Sequence, residues 1–126
     1  MIEITVQEMI NSIDVLREIA NKKMPAKTAY RFARINNEID KENAIFQETR
    51  RNLIIKYGEK DENGELKEDN GNIMIAKEHL SDFRNESTEL LNTKITINAE
   101  KIGLDDFGDD LFSPSEIGKI EWLIEE

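Results

Sequence analysis

Phe32, Ile39, Phe46 and Leu53 recur every seventh residue, with Ile35 between the first two. Seven residues are close to two helical turns, so these side chains fall on one stripe of a helix. Pro25 stands at the start, where a missing N–H costs nothing, and Gly58 directly follows Tyr57, where a helix stops well. The spacing predicts one helix over about 25–57. At 1.5 Å per residue it is roughly 50 Å long, more than a compact domain of this size needs. Part of it then protrudes or packs on a partner or a second copy, and a homo-oligomer through this helix is one expectation.

The other elements follow from local signals. Residues 1–4 alternate like a short strand. Thr5 and Glu8 have capping-box spacing, and the helix they open has Val6, Met9, Ile10, Ile13, Leu16 and Ala20 on one face, to about Lys22. Residues 59–72 contain two Asn-Gly pairs and almost nothing apolar, which predicts an acidic loop or weak hairpin. Ala76, Leu80, Phe83, Ser87 and Leu90 mark a third helix over about 75–92. Ile95 and Ile97 read as a strand suited to pair with residues 1–4. Ser113, Pro114 and Glu116 open a last helix whose apolar face is Ile117, Ile120 and Ile124. The expected fold is mainly α with a minor β element (α+β): four helices, one long, and a short two-stranded pairing. With 126 residues, no repeat and no linker, a single domain over 1–126 is expected.

Composition narrows the function. The chain has no cysteine, so disulfides and thiol chemistry are excluded. No run approaches the roughly 20 apolar residues of a membrane span, and the opening residues lack a signal-peptide pattern. The expected compartment is the cytoplasm, with no membrane contact. The formal charge is −10 and uneven: residues 1–57 carry 10 Lys/Arg and 8 Asp/Glu, residues 58–126 carry 7 and 19. That balance argues against direct nucleic-acid binding, which needs cations to neutralise phosphates; it allows a partner with a basic surface or mimicry of nucleic acid, beside the plain reading of solubility.

No catalytic pattern emerges. The single histidine, His79, has no nucleophile beside it and reads as a surface or boundary residue. Glu59, Asp61, Asn63 and Gly64 imitate the first half of an EF-hand loop. Lys67 at the ninth position and Asn70 at the twelfth, where a bidentate Glu belongs, break the match. Asp105, Asp106, Asp109 and Asp110 flank Phe107 and Gly108 in the densest carboxylate cluster. Such carboxylates can hold a metal for hydrolysis, but no basic or phosphate-binding complement lies nearby; the cluster reads first as a solvated loop and next as an acidic patch for a basic partner. No metal and no cofactor are expected, and the chain is read as a non-enzyme.

Two features bear on partners. Trp122 lies roughly 140° from Ile117 at 100° per residue, off the apolar face of the last helix, and a Trp there suits an interface anchor. The expected partner-binding residues are therefore Trp122, Asp105, Asp106, Phe107, Asp109 and Asp110. Lys27, Arg34 and Lys41, again seven apart, form a cationic stripe with Arg31 nearby.

The succession ITVQEMINSI, MPAKTAYRFARI, YGEKDENGEL, LLNTKITI and SPSEIGKIEWLIEE resembles that of small proteins encoded by phages and prophages of Gram-positive bacteria, over nearly the whole chain. The resemblance implies phage origin and action inside a bacterial host cell. It carries no catalytic residues to transfer. The expected function is an accessory protein that binds a host or phage protein and inhibits or redirects it. A nucleic-acid-binding defence or replication component is one such target. The alternative is an assembly factor, a chaperone or connector-type subunit, that oligomerises through the long helix.

Overall fold

A computed structural model describes residues 1–108 and 112–125. The protein is mainly α-helical with minor β structure. Its elements in order are β1 (Ile2–Thr5), α1 (Val6–Ala20), α2 (Ala26–Tyr57), β2 (Glu68–Asp69), β3 (Asn72–Ile73), α3 (Leu80–Leu91), β4 (Lys94–Ile97), β5 (Ile102–Gly103), α4 (Pro114–Ile120) and β6 (Ile124–Glu125). Where a single domain was expected, contacts cluster into two compact units. The first comprises Met1–Asn43 and Lys94–Glu126, the second Ala44–Thr93.

In the first unit, Thr5 closes α1 with the expected capping box. Its hydroxyl accepts from the Glu8 N–H, and the Glu8 carboxylate accepts from the Thr5 N–H, both at 3.1 Å. These contacts satisfy helix-end donors that otherwise need water. β1 and β4 pair antiparallel, with Ile2 opposite Ile97 and Ile4 opposite Ile95. The alternation of β1 puts Ile2 and Ile4 in the core and Glu3 outside, beside Lys94 at 3.3 Å. Met9, Val15, Leu16 and Ile19 of α1 join Phe32, Ile35 and Ile39 of α2 among the buried residues. Each such side chain contributes about 1.5–3 kcal/mol by leaving water. Ser12 is fully buried and donates to the Met9 carbonyl at 2.7 Å, which satisfies its hydroxyl.

The long helix is continuous, as the heptad spacing predicts. Phe32, Ile39 and Phe46 are buried, and Leu53 is half-buried. The last helix differs from expectation. Ser113 and Glu116 form their capping box, but α4 ends at Ile120. A 3-10 turn over Glu121–Leu123 follows, and Ile124 enters a parallel pairing with Ile102. Ile120 and Leu123 are fully buried, so the turn delivers both to the core.

In the second unit, the chain after α2 doubles back tightly. Gly58 needs its missing side chain: a Cβ there stands 2.5 Å from Leu66 Cδ2 and 2.8 Å from the Ile54 carbonyl. Three strands of backbone then bond in a ring, with Glu59 N–H donating to Met74, Lys67 N–H to Glu59, and Met74 N–H to Lys67. β2 and β3 form a hairpin around Asn70 (φ 52°) and Gly71 (φ 83°), the two positive values that a type I′ turn requires. The third helix starts later than its periodicity predicts. A 3-10 turn occupies Lys77–His79 and α3 proper begins at Leu80, half-buried along one side by Leu80, Phe83 and Leu90.

Candidate functional site

Among the expected partner-binding residues, Trp122 keeps access to solvent in an unexpected way. It sits on the 3-10 turn, beyond the end of α4, between buried Leu123 and exposed Glu121. The ring is half-buried. Its Nε1 has no solvent contact and no acceptor among the described residues. A buried donor left unpaired costs about 1–3 kcal/mol.

Trp122 lines a cleft of about 600 Å³ in the first unit. Glu8 and Asn11 of α1 form one wall, Lys119, Glu121 and Glu125 another, and Lys101 a third. Glu121 and Glu125 are exposed. Glu8 is committed to its cap. The cleft therefore brings together an aromatic residue, the exposed Glu121 and Glu125, and two lysines. Sequence periodicity misses Glu8, Asn11 and Lys101, because no local signal brings the start of α1 to the end of the chain.

The aspartates lie elsewhere. Asp105 and Asp106 are exposed on a 3-10 turn over Leu104–Phe107, just after β5. In the parallel pairing of Ile102 with Ile124 and Gly103 with Glu125, that turn follows one end of the strand pair. Trp122 precedes the other end. Neither aspartate lines the Trp122 cleft. Asp106 is partly engaged: its carboxylate is 4.0 Å from Arg31, and its carbonyl accepts from the buried Thr28 hydroxyl at 2.7 Å. Asp109 and Asp110 lie outside the described residues.

Phe107 requires a correction. It is 2% exposed and belongs to the core of the first unit. Its ring meets Phe32 edge-on at 6.2 Å and Phe112 at 5.7 Å. Gly108 follows with a positive φ of 85°, which glycine adopts without steric cost, and its N–H donates to the Asp105 carbonyl. The turn thus holds two carboxylates outward by burying the aromatic ring that follows them. Phe107 supports the acidic surface from beneath, with almost none of its own ring exposed.

The other titratable cluster is in the second unit. The neighbouring Tyr57 hydroxyl holds the Glu86 carboxyl below its ordinary value, and that carboxylate raises the phenol. Lys56 is raised by its contact with Tyr57 and by the Glu86 charge, 3.5 Å away. Phe83 and His79 pack against the Tyr57 ring at 6.4 and 5.6 Å. His79, expected at a surface or boundary position, is half-buried here. This cluster ties α3 to the end of α2.

In the acidic loop, Asp61 Oδ1 already accepts from the N–H groups of Asn63 and Glu65. The resemblance to an EF-hand therefore reduces to a carboxylate that closes its own turn. No helix among the described residues is long and apolar enough to cross a membrane. Comparison with protein-family models, with curated proteins and with solved structures gives no match.

Proposed function

We propose that this chain is a non-enzymatic accessory protein that binds a host or phage protein with a basic surface and inhibits or redirects it. The observation that carries the reading is Trp122: a half-exposed aromatic ring whose buried indole N–H lacks an acceptor, at a cleft flanked by exposed Glu121 and Glu125. Trp is among the residue types enriched as interface anchors, and the exposed part of this ring gives a partner an apolar contact beside Glu121 and Glu125. The exposed Asp105 and Asp106 add negative potential that speeds the approach of a basic partner. Phage origin and action in the bacterial cytoplasm rest on the resemblance in sequence.

The experiment is capture from a bacterial host lysate with the tagged wild-type protein and with Trp122→Ala, both confirmed folded by circular dichroism. The expected result is a stoichiometric partner held by the wild type, lost by Trp122→Ala, and weakened by salt. With the partner purified, the double variant Asp105→Asn/Asp106→Asn associates more slowly at low salt. A partner retained equally by Trp122→Ala contradicts the proposal.

A second reading, an assembly subunit that oligomerises through α2, is favoured by Ile45 and Ile55. These residues are 60% and 43% exposed on that helix. Sedimentation decides it: a defined oligomer at micromolar concentration that Ile45→Glu dissociates supports this reading, and a monomer excludes it.

A further inference from the structure

The first half of α2 has an outward face that the function above does not use. Phe32, Ile35 and Ile39 point into the core, which turns Lys27, Tyr30, Arg34, Asn37 and Lys41 to the outside, where all five are exposed. At 100° per residue Tyr30, Arg34, Asn37 and Lys41 fall within a stripe about 60° wide, with Lys27 at its border. Tyr30 is 68% exposed, with the Arg34 guanidinium 5.7 Å from its ring centre. It forms the shared wall of two shallow clefts of about 330 and 230 Å³. Arg34 also lines both, and Lys41 lines the second.

We infer that this stripe is a docking surface for an acidic α-helix of a partner protein. Three observations select that occupant. First, Lys27 and Arg34, like most Lys and Arg of the chain, form no ion pair among the described residues, and on this stripe they stand in line with an exposed Tyr30. Arg31, beside the stripe, stands 3.8 Å from Glu100, and Lys41, within it, 3.7 Å from Glu38. A carboxylate is thus the group this surface is seen to accept, and two positions for one remain open. Second, Lys27, Arg34 and Lys41 are seven residues apart, about 10 Å along the axis. A helix laid alongside presents its own carboxylates at the same interval when they too recur every seven residues. Third, Tyr30 and Arg34 are residue types enriched at binding hot spots, and Tyr30 gives the helix an apolar contact between the charges. Nucleic acid fits less well, because a polyanion meets a net charge of −10 and only three cations in line.

The test uses a synthetic 21-residue helical peptide with Glu at every seventh position and Leu one turn away. A peptide of the same composition in scrambled order serves as control, and a fluorescent oligo-dT as the other polyanion. Anisotropy at low salt measures binding, and backbone amide shifts locate it. The expected result is binding of the heptad peptide at least tenfold tighter than the scrambled one, with shifts centred on Tyr30, Arg34 and Lys41. Arg34→Glu and Tyr30→Ala each weaken it tenfold or more with an unchanged melting temperature. Trp122→Ala leaves it intact, which separates this surface from the Trp122 cleft. Equal affinity for both peptides, tighter binding of oligo-dT, or an Arg34→Glu variant that binds normally overturns the inference.

Discussion

Replacing Phe107 by alanine removes a ring that is 2% exposed and in edge contact with both Phe32 and Phe112. Large-to-small changes at buried Phe cost about 3–5 kcal/mol through lost transfer energy and the cavity left behind. Loss of two edge-on aromatic contacts puts the change toward the upper end of that range. A domain stable by about 5–15 kcal/mol loses a large fraction of its stability that way. The assay is urea unfolding followed by tryptophan fluorescence. Trp122 is the only tryptophan and lies in the same unit as Phe107, so the signal reports that unit. With a urea slope of about 1–3 kcal/mol per M, the midpoint falls by at least about 1 M. Phe107→Leu keeps most of the apolar volume and recovers most of the loss. The reasoning is refuted if Phe107→Ala unfolds at the wild-type midpoint. If it also abolishes partner capture, Phe107 belongs to the contact surface after all.

Two further outcomes follow from local geometry. Hydrogen bonds from Ser113 hold the Glu116 carboxyl below its ordinary value of 4.5. Its charged form therefore stabilises the fold above that value, and the contribution is lost as pH falls through the depressed folded value. Glu116→Gln should lower the melting temperature at neutral pH, with the difference closing on acidification. A difference that persists unchanged to about pH 3 contradicts this. Gly71→Ala places a side chain at φ 83° with no neighbour to clash, so its cost is conformational, about 1–2 kcal/mol. Hydrogen exchange of the Met74 amide, bonded to the Lys67 carbonyl, should quicken by about 5–30-fold, and unchanged protection argues against the turn described.

What the sequence makes legible here is what neighbours along the chain decide. Thr5 with Glu8, and Ser113 with Glu116, cap helices through contacts three residues apart, and both boxes form. The Asn70-Gly71 pair needs only its own backbone preference. The seven-residue stripe predicts the long helix because a helix shows its periodicity wherever it packs. Misreadings occur where a distant segment intervenes. Ile124 continues the periodicity of Ile117 and Ile120, yet Ile102 draws it into a strand. That change also moves Trp122 off the helix, so its angle on a helical wheel does not describe its surroundings. Phe107 sits among acidic residues in the chain, and contact with Phe32, far earlier, helps make it a core residue. The Trp122 cleft is likewise non-local, since residues of α1 and of the end of the chain line it together.

The antiparallel register of β1 imposes an order of events on biosynthesis. Ile2 pairs with Ile97, so its partner is not made until more than ninety further residues have been added. At about 5–20 residues per second the first strand waits for several seconds or longer with its apolar side chains uncovered. The segment Ala44–Thr93, continuous in the chain, is complete earlier and has its own hairpin and helices to close. Non-local pairings form slowly because a long loop must first be gathered, and the Ile2–Ile97 pairing is of that kind. A nascent chain stalled before residue 94 should therefore leave α1 open to proteases or chaperones, and one stalled after the last strand has left the ribosome should not.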